Sequence, residues 1–483
     1  MGTRLVRGSL GSGAALLFIF AASPAASAAT LPVGPGKTYT TPCQAVSAAA
    51  DNDAIEIDAA GNYDGDVCAI PRSGLTLRGV GGRAKIDAAG KSSGGKAIWV
   101  IQGNDTVVEN IELSGTTVPD QNGAGIRQEG VNLTVRGCYF HDNDNGILAG
   151  DKQGSTILIE YTEFASNGFG DGQSHNLYIN HVDKLVFQYN YSHHAKVGHL
   201  LKTRALENHI LYNRLTGEDG NNSYEIDVPN GGKTLILGNL IQQSPTTDNG
   251  GIITYAVEGA SNPSDSLFVV NNTIVNDRQN GGTFMNIASG VAPAIVRNNI
   301  FVGPGTIVTQ EDAVQEGNVQ GDVMFVDQAS FDYHLQAGSP AVDEGVAPGQ
   351  AEGLDLTPRY HYVHPAGAIG RMTMGTIDVG AYELNGDVEA GGASGGGPGG
   401  GTPGGGDVGG GGPGGSTPGS AGAGGDTSSG GTSANAGEHG GCGCRVAGSS
   451  LGAGAGWLAS AALASIAGLR RRIRTNRDHG LYH

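Results

Sequence analysis

The sequence predicts an all-β solenoid, a right-handed parallel β-helix wound from one chain, and three observations carry that expectation. Short apolar strands recur with a polar break: VENIEL around Asn110, VRGCYF around Gly137, IEYTEF around Tyr161 and FQYNYS around Asn190. LYNRLT around Asn213, ILGNLI around Asn239, VVNNTIV around Asn272 and VRNNIF around Asn299 continue the series, at spacings of 27, 24, 29, 23, 26, 33 and 27 residues. A second apolar series accompanies each repeat, running from Gly125-Ile126 through Asn176-Leu177, Leu200-Leu201 and Glu225-Ile226 to Phe284-Met285. No helical periodicity separates the strands, so each repeat of about 25 residues reads as one coil.

A single coil cannot bury its own apolar face, so coils must stack, with inward Ile, Val, Leu and Phe forming one column. Asn190, Asn213, Asn239, Asn272 and Asn299 are expected at one turn, their amides laddering from coil to coil. Antiparallel propeller blades would need tight hairpin signals that the chain lacks.

Around this body the chain divides into segments. Residues 1–28 read as a signal peptide: Arg4 and Arg7 precede an apolar run from Ala14 to Ala22, and Ala26-Ser27-Ala28 has the small-x-small form of a cleavage site after Ala28. Residues 29–60 are expected to cap the open coil end, with a helix over Gln44 to Ala50. Residues 61–385 hold the β-helix and its closing element. Residues 386–441 are a Gly/Pro/Ser-rich spacer that cannot bury enough surface to fold. Residues 442–483 comprise Cys442-Gly443-Cys444, an apolar helix and the cluster Arg470-Arg471-Arg472-Ile473-Arg474.

Export implies an oxidising compartment, where Cys43 and Cys68 are the plausible disulfide and Cys138 a buried free thiol. No Cys/His metal spacing is present. The formal charge of the 483-residue chain is −18, but eight arginines lie in the two ends. The body keeps 20 basic residues against 42 acidic ones, a net −22 that disfavours nucleic acid and anionic membranes as partners. It leaves room for a polyanionic substrate held in a locally basic groove or bridged by Ca²⁺.

Spacer, Cys-Gly-Cys, apolar helix and arginines, in that order, resemble the myxobacterial C-terminal sorting tag. The resemblance implies processing at Cys442 by a sorting protease and delivery to the cell surface, with membrane contact only through the tag. The segment Leu335 to Asp343, followed by Ile377 to Glu383, is similar to the closing element of secreted bacterial β-helix proteins of the pectin-lyase-like kind.

One stretch gathers titratable residues in adjacent coils. With Leu177, Leu201 and Ile226 inward, Tyr178, Lys202 and Asp227 form an outward column, because a buried unpaired lysine would be costly. Asn176, Leu200 and Glu225 are expected in a neighbouring outward column, with Asn180 and Arg204 further along. His175, His199 and Tyr224 border the same strands, and His194 lies in a nearby loop.

This set suits β-elimination on a uronate polymer: a cation neutralises the sugar carboxylate and a base removes the adjacent proton. Lys202 or Tyr178 would be the base, Arg204 the carboxylate clamp, and His175 or His199 an acid or base near neutrality. The stretch from Leu201-Lys202-Thr203-Arg204 to Asn213 resembles the alginate lyase and chondroitinase B type of β-helix lyases, which implies Lys202 as base. The acidic calcium ligands of that family are replaced here by residues such as Val197 and His199. Its arginine-bearing strand is replaced by Tyr224-Glu225-Ile226-Asp227, so a calcium site would rest on Glu225 and Asp227.

The expectation is therefore a monomeric, surface-located lyase acting on an acidic polysaccharide, with no certain cofactor and Ca²⁺ as the candidate. A surface adhesin or glycan-binding module, a C5-epimerase and a glycoside hydrolase using Glu225 and Asp227 are the alternatives.

Overall fold

The computed structural model describes residue 2, residues 28–247 and residues 249–389. Of the signal segment expected over residues 1–28, residue 1 and residues 3–27 lie outside the described residues, as do most of the spacer and the Cys442 tag.

Three parallel sheets of 12, 10 and 10 strands run the length of the body. A typical coil contributes Thr106–Glu109 to sheet A, Ile111–Ser114 to sheet C and Ala124–Gln128 to sheet B before the next coil begins. Each strand pairs with the strands one coil before and after it, in register: Leu185 lies beside Asn208, Phe187 beside Ile210, and Ile210 beside Ile236. Alternation then sends every second residue inward, and the inward set is fully buried. Through three coils, Phe140 stacks on Phe164 at a centroid distance of 5.1 Å, and Phe187 meets Phe164 tilted at 6.1 Å.

The turn from sheet A to sheet C is a single left-handed residue, occupied by Asn110, Gly137, Tyr161, Tyr189, Tyr212, Gly238, Asn271, Asn298 and Gly317. The residue after it forms the ladder. Asn190 N–H donates to Asn213 Oδ1, Asn213 to Asn239, Asn239 to Asn272 and Asn272 to Asn299, each at 2.9 Å, and Asn318 extends the column. The five expected asparagines thus superpose. Asn110, Gly137 and Tyr161 do not belong with them, because they occupy the left-handed position one residue earlier. Ile111, Cys138 and Thr162 stand where the ladder would be. A shorter ladder, Asn143 to Asn167 to Asn176, supports the turn from sheet C to sheet B.

At the N-terminus, Thr30–Val33 and Ala54–Asp58 already pair in sheet A, so the parallel ladder begins inside the segment expected to be only a cap. The helix is Pro42–Ala48, with proline in its first turn, and the Cys43–Cys68 disulfide joins it to the first strand of sheet B. Cys138 is a buried free thiol.

The parallel ladder ends at Val319–Gln320. Residues 323–389 then fold back along the outside. Their antiparallel strands Phe325–Asp327, Asp332–Leu335, Tyr360–Val363 and Gly367–Arg371, with the bend that follows, lay Phe325, Tyr333, Tyr362, Val379 and Tyr382 over the outward Leu240, Val275 and Ile300 of sheet C. Gly380 is required where the layers meet: its φ is +97°, and a Cβ there would lie 2.4 Å from Ile300 Cδ1. Arg371 is fully buried in this layer, bonded to Glu383 and to the carbonyls of Asp378, Gly380 and Ala381. The expected closing segments are both present here, on the flank of the coils.

Candidate functional site

Strands Leu177–Ile179, Lys202–Thr203 and Ile226–Val228 are neighbours in sheet B. Their register sets Tyr178 beside Lys202, Lys202 beside Asp227, and Asp227 beside Thr254. Leu177, Leu201 and Ile226 are buried beneath them, so the expected outward column forms.

The neighbouring column does not. Asn176, Leu200 and Glu225 are completely buried, because they precede the strands and sit in the inward bend of the turn, where period-2 alternation has not begun. Asn176 donates to Ser192 Oγ and the His193 carbonyl. Glu225 accepts from Asn222 Nδ2 at 2.9 Å, and burial holds its carboxyl well above the ordinary range. Glu225 and Asp227 therefore do not converge on a shared cation, and the expected calcium pair is not formed. A hydrolytic pair built on them fails for the same reason.

His175, His199 and Tyr224 form a stack along the edge of the column, with ring centroids 4.5 and 4.9 Å apart. The His199 N–H donates to His175 Nδ1 at 3.0 Å, and the Tyr224 N–H to His199 Nδ1 at 3.2 Å. Each Nδ1 is thus an acceptor, which assigns the proton of the neutral ring to Nε2. His199 Nε2 faces Asp227 Oδ2 at 3.6 Å. Burial, helped by Lys202, pushes His199 down to about 3, and burial with His199, Lys202 and Arg204 holds His175 well below its ordinary value. The expectation that either exchanges protons near neutrality is corrected: both stay neutral.

The charged groups close into one network. Lys202 Nζ lies 3.1 Å from both Asp227 Oδ2 and Glu258 Oε1. Arg204 Nη2 contacts Glu258 Oε2 at 2.6 Å, its Nε donates to the Tyr178 hydroxyl at 2.9 Å, and its Nη1 donates to Asn230 Oδ1. Thr254 Oγ1 donates to Asp227 Oδ1. Burial pushes the Glu258 carboxyl up, but Arg204 and Lys202 outweigh it and hold the group below its ordinary value.

Two expected members stand apart. Asn180 is turned to His181, accepting from its backbone N–H and facing its ring nitrogen, each at 2.9 Å. His194, in a left-handed conformation, belongs to the outer side of sheet C, where it meets Asp219 at 2.9 Å and the ring of His193. Sequence reasoning missed Glu258, Asn230 and Thr254. The signal for Glu258 was available: the longest ladder spacing, 33 residues between Asn239 and Asn272, marks an insertion. The residues between strands Gly251–Tyr255 and Leu267–Val270 carry Glu258 over the site.

Residues 73–221 match the family model described as a right handed beta helix region. The described coils form a right-handed parallel β-helix. Among solved structures, this β-helix is similar to pectate lyase Pel9A at 13% identity, over 75% of this chain and 97% of that one, with a TM-score of 0.48. It is also similar to an alginate lyase from Paenibacillus sp. str. FPU-7 at 12% identity, over 60% and 99% of the two chains, with a TM-score of 0.35. A pectin methylesterase from Aspergillus niger aligns at 13% identity over 65% and 91%, with a TM-score of 0.27. At such values the likeness is one of fold. No curated protein sequence matches the β-helix.

Proposed function

We propose that the β-helix binds an acidic polysaccharide across the outer face of sheet B and cleaves it at uronate residues by β-elimination. One observation carries the reading: Lys202 and Arg204 together grip a single carboxylate, that of Glu258, beside the hydroxyl of Tyr178. A uronate carboxylate in that grip has its charge neutralised, so the proton on the adjacent carbon is more readily lost. Tyr178, entering the reaction as the phenolate paired with the Arg204 guanidinium, takes that proton, the carbon–oxygen bond to the leaving sugar breaks as the double bond forms, and Tyr178 returns the proton to the departing oxygen. Lys202, already bonded to Asp227, is the neutralising cation rather than the base in this scheme.

The names of the fold neighbours, pectate and alginate lyases, agree with the class of substrate. Export to an oxidising compartment belongs to the same reading and is supported by the Cys43–Cys68 disulfide.

The test is incubation with polygalacturonate, alginate and glucuronate-containing polymers, with and without Ca²⁺, followed by ultraviolet absorbance of unsaturated ends. Tyr178→Phe should lose on the order of a hundredfold or more in turnover while still binding. Lys202→Ala should lose binding as well. The closed ion-pair network favours one second reading, a glycan-binding surface without turnover. Tight binding with no unsaturated ends across the panel would select it.

A further inference from the structure

Glu258 has no place in the coil repeat, yet its carboxylate makes two charged contacts with the two cations of the site. Its loop is fixed at both flanks. The Ala256 N–H donates to the Val228 carbonyl, and the Asn262 side chain donates to the carbonyls of Arg204, Ala205 and Gly231. Between them the Glu258 N–H donates to the Pro229 carbonyl, so the backbone is held while the outer side of the tip is open: Gly259 has a φ of +108°, with no heavy atom near the place a Cβ would take.

Exposure runs the same way. The Glu258 side chain is 45% exposed, against 17% for Arg204 and 12% for Lys202. The carboxylate is thus the outermost part of the network, and a rotation of its side chain uncovers both cations without breaking a ladder bond. A salt bridge needed only to neutralise Lys202 would be redundant here, because Asp227 already meets that nitrogen at 3.1 Å.

We infer that Glu258 is the chain's own occupant of a carboxylate slot formed by Lys202, Arg204 and Tyr178, and that the carboxylate of an acidic sugar enters by displacing it. The class of ligand rests on the reading proposed above; the slot rests on the contacts. Exchange of one carboxylate for another preserves the charge-assisted bonds to the slot, so the intramolecular carboxylate lowers the apparent affinity of every ligand that competes for them. It also discriminates against sugars whose carboxyl is esterified, which cannot replace a full negative charge.

The experiment compares the full chain with its Glu258→Gln and Glu258→Ala variants, titrated with glucuronate, galacturonate, their methyl esters and acetate at low salt. Calorimetry or thermal shift gives the readout. Both variants should bind the free uronates about tenfold more tightly than the parent chain, with no gain for the methyl esters. Adding Arg204→Ala should abolish the gain. Unchanged uronate affinity in both variants overturns the slot, and a gain equal for acetate overturns its assignment to an acidic sugar. Unsaturated products without any gain would leave the lyase reading standing and remove the slot. A gain without unsaturated products from any polymer would do the reverse.

Discussion

Sheets B and C are built from the same coils, with the same parallel register, yet their outward columns are put to opposite uses. On sheet B the successive outward residues Tyr178, Lys202, Asp227 and Thr254 are polar and joined in one network. On sheet C the later coils turn Leu240, Val275 and Ile300 outward, beneath the fold-back layer. In a solenoid the inward face is dictated by stacking, whereas each outward column is free to specialise. An apolar outward column signals a covering segment, and a charged one signals a ligand or an ion-pair lattice.

The largest effect should come from breaking the covered face. Arg371→Met strips a fully buried ion pair of its cation and leaves Glu383 uncompensated, which costs about 3–5 kcal/mol. Denaturant unfolding should show that loss, with dye binding to the exposed sheet C, while uronate binding at sheet B persists. Loss of binding in parallel would show that the two faces are coupled.

The shared scaffold comes next. Asn239→Ala leaves the N–H and side-chain amide of Asn213, and the Ile210 carbonyl, without their ladder partner. Each such buried group costs about 1–3 kcal/mol, so both faces should weaken together in thermal unfolding.

Two buried groups near sheet B give opposite slopes with pH. Glu225 keeps a proton in the folded state that the unfolded chain releases above its ordinary 4.5, so its contribution is full at low pH and is lost as pH rises. Glu225→Gln should therefore match the parent at pH 4 and exceed it in stability at pH 8. His199, at about 3 when folded against 6.5 ordinarily, works the other way. The unfolded chain takes up the proton first, so stability falls as pH drops from 6.5 toward 3. The smallest effect belongs to the solvated outer face of sheet A. Arg78→Ala breaks a half-exposed contact with Glu56 and should cost about 0.5 kcal/mol or less in the same assay.

These contrasts also explain how much of the fold and of the site is legible in the sequence. The coil repeat was legible because the inward positions of every coil obey one constraint. Lys202 fixed the register of its column, since no inward lysine could be paired there. Glu225 misled because a carboxylate is assumed to face water, and protonation is what lets this one stay inside. The strand series, centred on Asn110, Gly137 and Tyr161 in its first three coils, is offset there by one residue from the asparagine ladder, because those residues fill the left-handed turn. The 33-residue spacing marked the insertion that carries Glu258, but an insertion has no equivalent position in other coils, so the repeat could not assign that residue to the column. The segments Leu335 to Asp343 and Ile377 to Glu383 marked a terminal element, but side-chain chemistry alone does not say which surface it lies on.

The fold-back layer changes how the solenoid comes apart. A bare stack of coils joined only to its neighbours can fray one coil at a time from either end. Here Gly380 is bonded to Asn298, Arg359 to Tyr212 and Glu352 to Lys233, and His364 packs on Tyr191. One segment therefore splints coils that are otherwise distant along the axis. Amide exchange should show a step rather than a gradient: coils from about Tyr189 to Val302 protected as a single block, and the earlier ones opening singly.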